Sequence, residues 1–142
     1  MGKEGSWQSR IVRSYDVWKQ DFDSYTKEIL LSLDDNQTEK DEFQRFVVAN
    51  TAIYHAAHII LRVEINDLQI FAGASHIIGR PVMKSDRERS KQRIEKWAKT
   101  ESLSAAKATS HAAYLLRDGI RKLKKWDAGD VSITLGVFTL QP

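Results

Sequence analysis

The stretch FQRFVVANTAIYHAAHIILR, from Phe43 to Arg62, decides the fold that this sequence predicts. Placed at 100° per residue, its aromatic and branched side chains crowd one side of a helix, and smaller apolar side chains fill much of the opposite side. A helix that is apolar almost all round is typical of the centre of a protein. We therefore predict a central buried helix that begins near Glu39 or Asp41 and ends at Arg62.

A narrow polar strip is the gap in this apolar coat. It holds Thr51, His55, His58 and Arg62, spaced by four, three and four residues, which places them on one face of the helix. On a buried helix such side chains meet either the polar edge of a neighbouring helix or a ligand. Histidine can act as an acid or base near neutral pH, and arginine can hold a carboxylate or polarise a carbonyl. We take His55, His58 and Arg62 as candidate catalytic residues.

A long aromatic helix is predicted upstream of this stretch. Its apolar residues recur every three or four positions, which is one face of a helix of about seven turns. They are Trp7, Ile11, Tyr15, Trp18, Phe22, Tyr25, Ile29 and Leu33. So large an apolar face has to be covered, either by the rest of the chain or by a second copy in a homodimer. Thr38 is the predicted N-cap of the helix that follows.

Downstream, the sequence predicts a bend, a short helix and two long helices. Asn66 and Asp67 are expected to form the bend through side-chain bonds to the backbone, and Gly73 ends the short helix. The next segments are a loop HIIGRPV (76–82), a helix from the capping box Ser85–Glu88 to about Lys99, a helix from about Ser102 to Lys125, and a β-branched tail lying extended across the helices.

The fold class that follows is all-α, a compact bundle of four or five helices with an irregular or extended C-terminal tail. The 142 residues suffice for one domain with one core, so residues 1–142 are predicted to form a single helical domain. The chain has no cysteine, which excludes disulfides, thiolate metal sites and cysteine nucleophiles. It also has no N-terminal apolar run and no apolar stretch of roughly 18 residues, so we expect an intracellular protein without a membrane span.

Charge and motifs exclude further function classes. Residues 84–125 hold 13 Lys and Arg against 5 Asp and Glu, but these basic helices lack the interleaved aromatic residues that stack on bases. Direct nucleic-acid binding is therefore not expected. The segment GASHIIGR lacks the glycine spacing and the ending of a phosphate loop, and no nucleophile elbow is present. A metal site built from His55, His58 and either His76 or His111 is less favoured, because helical metal pairs usually lie four residues apart.

Four segments in order resemble the middle homology region of fungal transcription factors. They are YHAAHIILRVEINDLQIFAG (54–73), HIIGRPV (76–82), RIEKWA (93–98) and HAAYLLRD (111–118), and the resemblance extends over about residues 41–126. It implies an all-helical regulatory region of the kind found downstream of zinc-cluster or zinc-finger DNA-binding domains. The absence of cysteine departs from those zinc modules. The resemblance therefore implies a fragment of such a regulator, or a short stand-alone relative without a DNA-binding domain.

Two functions fit these observations. The first is a helical module that binds an apolar small molecule or a partner, with no cofactor and no metal. The alternative is a small cofactor-free enzyme of fungal secondary metabolism, an isomerase or cyclase such as a Diels-Alderase, in which a shaped apolar pocket holds the reactive conformer. Either function needs a pocket beside the strip, and its candidate lining residues are Thr51, Tyr54, Asp67, His111 and Tyr114.

Overall fold

The computed structural model describes residues 6–33 and 35–123. These residues form five α-helices and one short pair of antiparallel strands. In chain order they are α1 (Trp7–Ser32), α2 (Gln37–Ile60), α3 (Ile65–Phe71), β1 (His76–Ile77), β2 (Arg80–Pro81), α4 (Lys84–Thr100) and α5 (Ser102–Leu123). The predicted all-α class with four or five helices is confirmed, whereas the predicted extended tail lies outside the described residues.

The chain divides into two compact units, Met1–His55 and Ala56–Pro142. The first unit contains α1 and most of α2. The second contains the C-terminal end of α2 together with the strands and the remaining helices. The single helical domain expected over residues 1–142 stays a prediction.

Aromatic rings hold the first unit together. Phe22 of α1 lies 6.0 Å from Phe46 of α2, and Tyr25 of α1 lies 6.3 Å from Phe43 of α2, measured between ring centroids. Such separations suit the tilted and edge-on arrangements that aromatic pairs prefer. Part of the aromatic face predicted for α1, at Phe22 and Tyr25, therefore packs on α2, although Tyr25 stays 51% exposed.

The N-terminus of α2 differs from the sequence prediction by two residues. The Asn36 side-chain oxygen accepts a hydrogen bond from the Glu39 backbone N–H at 3.3 Å. Asparagine is among the preferred residues at this position because its side chain satisfies a backbone donor that the helix leaves open. The prediction of Thr38 as N-cap is wrong, since Thr38 lies inside the helix.

The N-terminus of α4 also differs from the prediction. The helix begins at Lys84, with Met83 as the N-cap residue, and the Asp86 carboxylate accepts a hydrogen bond from the Met83 backbone N–H at 2.9 Å. The predicted capping box of Ser85 and Glu88 is therefore wrong. Asp86 takes that role because a carboxylate in the first turn of a helix satisfies an open backbone donor.

Burial along α2 is less complete than the predicted burial on nearly all sides. His55 and His58 are buried at 8% and 1% exposure, whereas Ile53 and Ile60 are 63% and 57% exposed. The predicted burial of this helix on nearly all sides is thus wrong for Ile53 and Ile60. The polar strip, not the apolar coat, holds the buried side chains of α2.

The end of α3 follows the sequence prediction closely. Gly73 has a φ of +99°, its N–H bonds to the carbonyl of Ile70, and the N–H of Ala74 bonds to the carbonyl of Gln69. These two bonds form a Schellman motif, which places a residue with positive φ just after the helix. Glycine adopts that conformation without the steric cost that a Cβ brings.

Gly73→Ala is expected to lower the free energy of unfolding by about 1 kcal/mol. A Cβ at this position meets no atom within 4 Å, so the cost comes from the backbone conformation alone. Gly119→Ala is the matched control, because it also meets open space but lies inside α5, where alanine favours the helix. Urea unfolding should give effects of opposite sign, and equal effects would contradict this account.

The segment predicted as a loop contains a β-hairpin. His76 pairs with Pro81 and Ile77 pairs with Arg80 in an antiparallel arrangement. Gly79 in the turn has a φ of +76°, a region that favours glycine. The hairpin matters for the site because it carries Arg80 to the N-terminus of α4.

Candidate functional site

The buried centre of the polar strip is His58, which is 1% exposed. Arg62 lies one helical turn further on, and its Nη1 atom is 2.8 Å from Nδ1 of His58 and 2.7 Å from the His58 carbonyl oxygen. From α5, the imidazole of His111 stacks on that of His58, with ring centroids 4.2 Å apart and planes within 7°. Two helices thus bring together one predicted pocket residue, His111, and two predicted catalytic residues.

The bond to Arg62 defines the form of the His58 ring. A guanidinium group can only donate hydrogen bonds, so Nδ1 of His58 must accept. The ring is then neutral, with its proton on Nε2. This form presents a donor, not a base, on the far side of the ring from Arg62.

The other candidates on α2, Thr51, Tyr54 and His55, lie in the first unit. Tyr54 donates a hydrogen bond from its hydroxyl to Asp16 of α1 at 2.8 Å, and Lys19 lies 5.8 Å from the centre of its ring. His55 meets the Tyr54 ring edge-on at 5.1 Å. Thr51 is half-buried on the same helix. The Tyr54 hydroxyl therefore ties α1 to α2, and a pocket role for Tyr54 and Thr51 stays a prediction.

Asp67 joins α3 to α4. It is 6% exposed, and its carboxylate accepts hydrogen bonds from the Ser90 hydroxyl at 2.7 Å and from Arg93 Nη1 at 3.3 Å. Ser90 is fully buried. The interpretation of Asp67 as a bend-forming residue is wrong, because its oxygens bond to α4 and it lies inside α3, after the bend.

Ser90 and Arg93 are residues that the sequence analysis missed. They lie three positions apart on α4, on the same side as the half-buried Ile94 and Trp97. A small serine in line with the few apolar residues of an otherwise charged helix was the available signal. It was weak, because no spacing within α4 identifies a partner on α3.

A second buried carboxylate lies where the hairpin meets α4. Asp86 is 4% exposed and accepts two hydrogen bonds from Arg80, at 2.7 and 3.0 Å, and one from Arg89 at 2.6 Å. The Arg80 hydrogen bonds, followed by the bond from the Met83 N–H, hold the pKa of Asp86 well below its usual range. The same carboxylate raises the pKa of Arg80. This cluster fixes the hairpin on the helix.

Tyr114 lies three positions after His111 on α5. The Arg117 guanidinium lies over the Tyr114 ring, 4.7 Å from the ring centre. Both residues line an open depression together with Ser110 and Ala113. Within residues 6–33 and 35–123, this lining comes from α5. The pocket role predicted for Tyr114 stays a prediction.

Within residues 6–33 and 35–123, no three His, Asp or Glu side chains lie close enough together to hold a metal ion. No described helix is by itself long and apolar enough to cross a membrane. The pair of α2 and α3, bent by 92° at the break between them, meets that length and composition only when both are counted together.

Comparisons with known proteins found a similar protein among fungal transcription factors. No protein-family model matches it, and no solved structure matches it. It is 44% identical over 129 residues to the nicotinate catabolism cluster-specific transcription factor of Emericella nidulans. The match covers 89% of this chain but only 15% of that relative. The predicted match to the middle homology region of such factors stays a prediction. The chain is homologous to a small part of a fungal transcription factor.

Proposed function

We propose that the chain is a helical regulatory module of a fungal transcription factor, which binds a small-molecule effector and does not contact DNA itself. The observation that carries the proposal is the homology to a transcription factor over 89% of the chain. A module of this kind acts inside the cell, in the nucleus or on the way to it. The relative is named for a nicotinate catabolism cluster, so pyridine carboxylates are the first effector class to test.

The arginines of the second unit support effector binding over DNA binding. Arg80, Arg89 and Arg93 each direct a guanidinium at a buried carboxylate, Asp86 or Asp67. Charges engaged in this way hold the fold together and are less available to phosphates. Within the basic segment 84–125, Arg89 and Arg93 are therefore less available to a nucleic acid than their charge suggests.

The polar strip supports effector binding from another direction. His58 is fully buried and is hydrogen-bonded to the half-buried Arg62. Polar and charged groups are costly to bury, and they are often retained where they recognise another molecule. The homology and this cluster are independent observations, because one concerns ancestry and the other concerns geometry.

A reporter experiment tests the proposal. The 142-residue chain is joined to an unrelated DNA-binding domain and an activation segment in a fungal host, and reporter output is measured with and without nicotinate and its breakdown products. We expect an effector-dependent change of about fivefold or more, the size typical of coupling between two sites. The same fusion without the 142 residues is the control.

The outcomes separate effector binding from DNA binding. An unchanged reporter with every compound of the catabolic series would contradict the proposal. So would direct binding of the isolated chain to DNA with the steep salt dependence that phosphate contacts produce. The alternative function, a cofactor-free isomerase or cyclase, and the homodimer through α1 stay predictions.

A further inference from the structure

Arg62 stands apart from the other arginines that bond within the second unit. Its Nη1 atom bonds to Nδ1 and to the carbonyl oxygen of His58, both of which are uncharged acceptors. Arg80, Arg89 and Arg93 each lie within 3.3 Å of a carboxylate oxygen. Among residues 6–33 and 35–123, no carboxylate forms an ion pair with Arg62. The charge of a half-buried guanidinium is thus without an anion in the described part of the chain.

The bonds of Arg62 also orient the group. Both N–H groups of Nη1 are directed at His58, which fixes the plane of the guanidinium. The Nε and Nη2 edge keeps donors that have no acceptor among the described residues. Two parallel donors on a flat edge match the two oxygens of a carboxylate, and an edge held in place loses little freedom when it binds.

His58 and His111 act as the support for this edge. Their stacked rings, 4.2 Å apart, connect the end of α2 to α5, and the neutral His58 ring holds Arg62 without neutralising it. A carboxylate in place of His58 would satisfy the guanidinium and close it to an outside anion. An imidazole acceptor leaves the positive charge available.

We propose that the Nε and Nη2 edge of Arg62 anchors the carboxylate of a small organic acid. This inference rests on the proposed function, since it names the chemical class of the effector and the group that holds it. The carboxylate forms a bidentate pair with the guanidinium, while the His58 and His111 stack keeps the guanidinium in position. The remainder of the acid is not specified by these contacts.

The test uses the purified 142-residue chain with benzoate as the probe. Benzamide is the matched neutral compound, and sulfate is the matched tetrahedral anion. We expect benzoate to shift the Arg62 side-chain Nε–H resonance in a ¹H–¹⁵N spectrum. Benzamide is expected to bind at least about tenfold more weakly, because it supplies no anionic oxygen. Sulfate is also expected to bind more weakly, because it is strongly hydrated and excluded from protein surfaces.

Variants at Arg62 make the test specific. Arg62→Gln is expected to lose at least about tenfold in benzoate affinity, and Arg62→Lys to lose part of it, because a lysine keeps the charge but not the fork. Arg87→Gln removes an exposed charge from α4 and should bind benzoate as the original chain does. Circular dichroism confirms that each variant is folded, and Arg62→Lys serves if Arg62→Gln does not fold.

Several results would overturn the inference. Benzoate binding unchanged in Arg62→Gln or Arg62→Lys would place any anion site elsewhere, and equal binding of benzamide would remove the role of charge. Equal binding of sulfate would indicate a general anion site and not a carboxylate site. A reporter fusion that keeps its response in Arg62→Gln would contradict this site while leaving the proposed function intact. A fusion without any response, in a chain that binds benzoate through Arg62, would contradict only the proposed function.

Discussion

Replacing Asp67 with alanine is expected to lower the free energy of unfolding by about 2 kcal/mol, which is a large effect for a single substitution. The carboxylate is 6% exposed and takes hydrogen bonds from Ser90 and Arg93, so it ties α3 to α4. Its removal leaves the fully buried Ser90 hydroxyl without its acceptor. A buried polar group that loses its partner costs more than the bond itself contributed.

A double-mutant cycle isolates the Asp67 contact. Ser90→Ala should recover part of the loss when combined with Asp67→Ala, with a coupling of about 1 kcal/mol, because the unsatisfied hydroxyl is then absent. Glu95→Ala is the control, because the Glu95 side chain is half exposed and its ion pair with Lys91 is long, at 4.0 Å. This substitution should change the free energy of unfolding by less than about 0.5 kcal/mol. Urea unfolding that gives Asp67→Ala and Glu95→Ala the same effect would contradict the assignment.

Asp86→Asn is expected to lower Tm by several degrees at neutral pH and to change how stability depends on acid. The carboxylate accepts two hydrogen bonds from Arg80, one from Arg89 and one from the Met83 N–H. An asparagine keeps one acceptor and turns an N–H₂ group towards a guanidinium. The hairpin is then expected to detach from α4, since Arg80 connects the two.

The pH dependence follows from the lowered pKa of Asp86. In the unfolded chain this carboxyl takes up a proton near its ordinary pKa of about 4, whereas in the folded chain it does so only at much lower pH. The unfolded state therefore binds more protons in acid, and the stabilisation, fully present above about pH 4, is lost as the pH falls towards the folded pKa. Between about pH 5 and about pH 3, Tm of the original chain should therefore drop more steeply than Tm of Asp86→Asn.

Glu88→Gln provides the comparison for this measurement. Glu88 is exposed on the same helix, two residues from Asp86, so its substitution changes the charge without removing the cluster. Its acid profile should follow that of the original chain. Parallel profiles for the original chain and Asp86→Asn would mean that the Arg80 pair does not stabilise the fold.

Features that depend on near neighbours in the chain could be predicted from the sequence. The three- and four-residue spacing of apolar side chains predicted α1 and α2, and Gly73 marked the end of α3. The same spacing placed His58 and Arg62 on one face of the predicted helix, and the two residues do bond to each other although α2 ends at Ile60. These predictions succeed because helix periodicity and helix ends are determined by residues within about four positions.

Contacts between distant residues were decided by the tertiary structure. Nothing near Asp67 in the sequence points to Ser90, and nothing near His58 points to His111, yet these pairs form the buried polar contacts of the second unit. Apolar spacing also predicted burial on too many sides of α2, since Ile53 and Ile60 are exposed. The amino-acid sequence by itself determined an all-α fold of four or five helices and a polar strip. Which polar groups are buried was settled only by folding, because a buried charge or imidazole is stable only where another element supplies its partner.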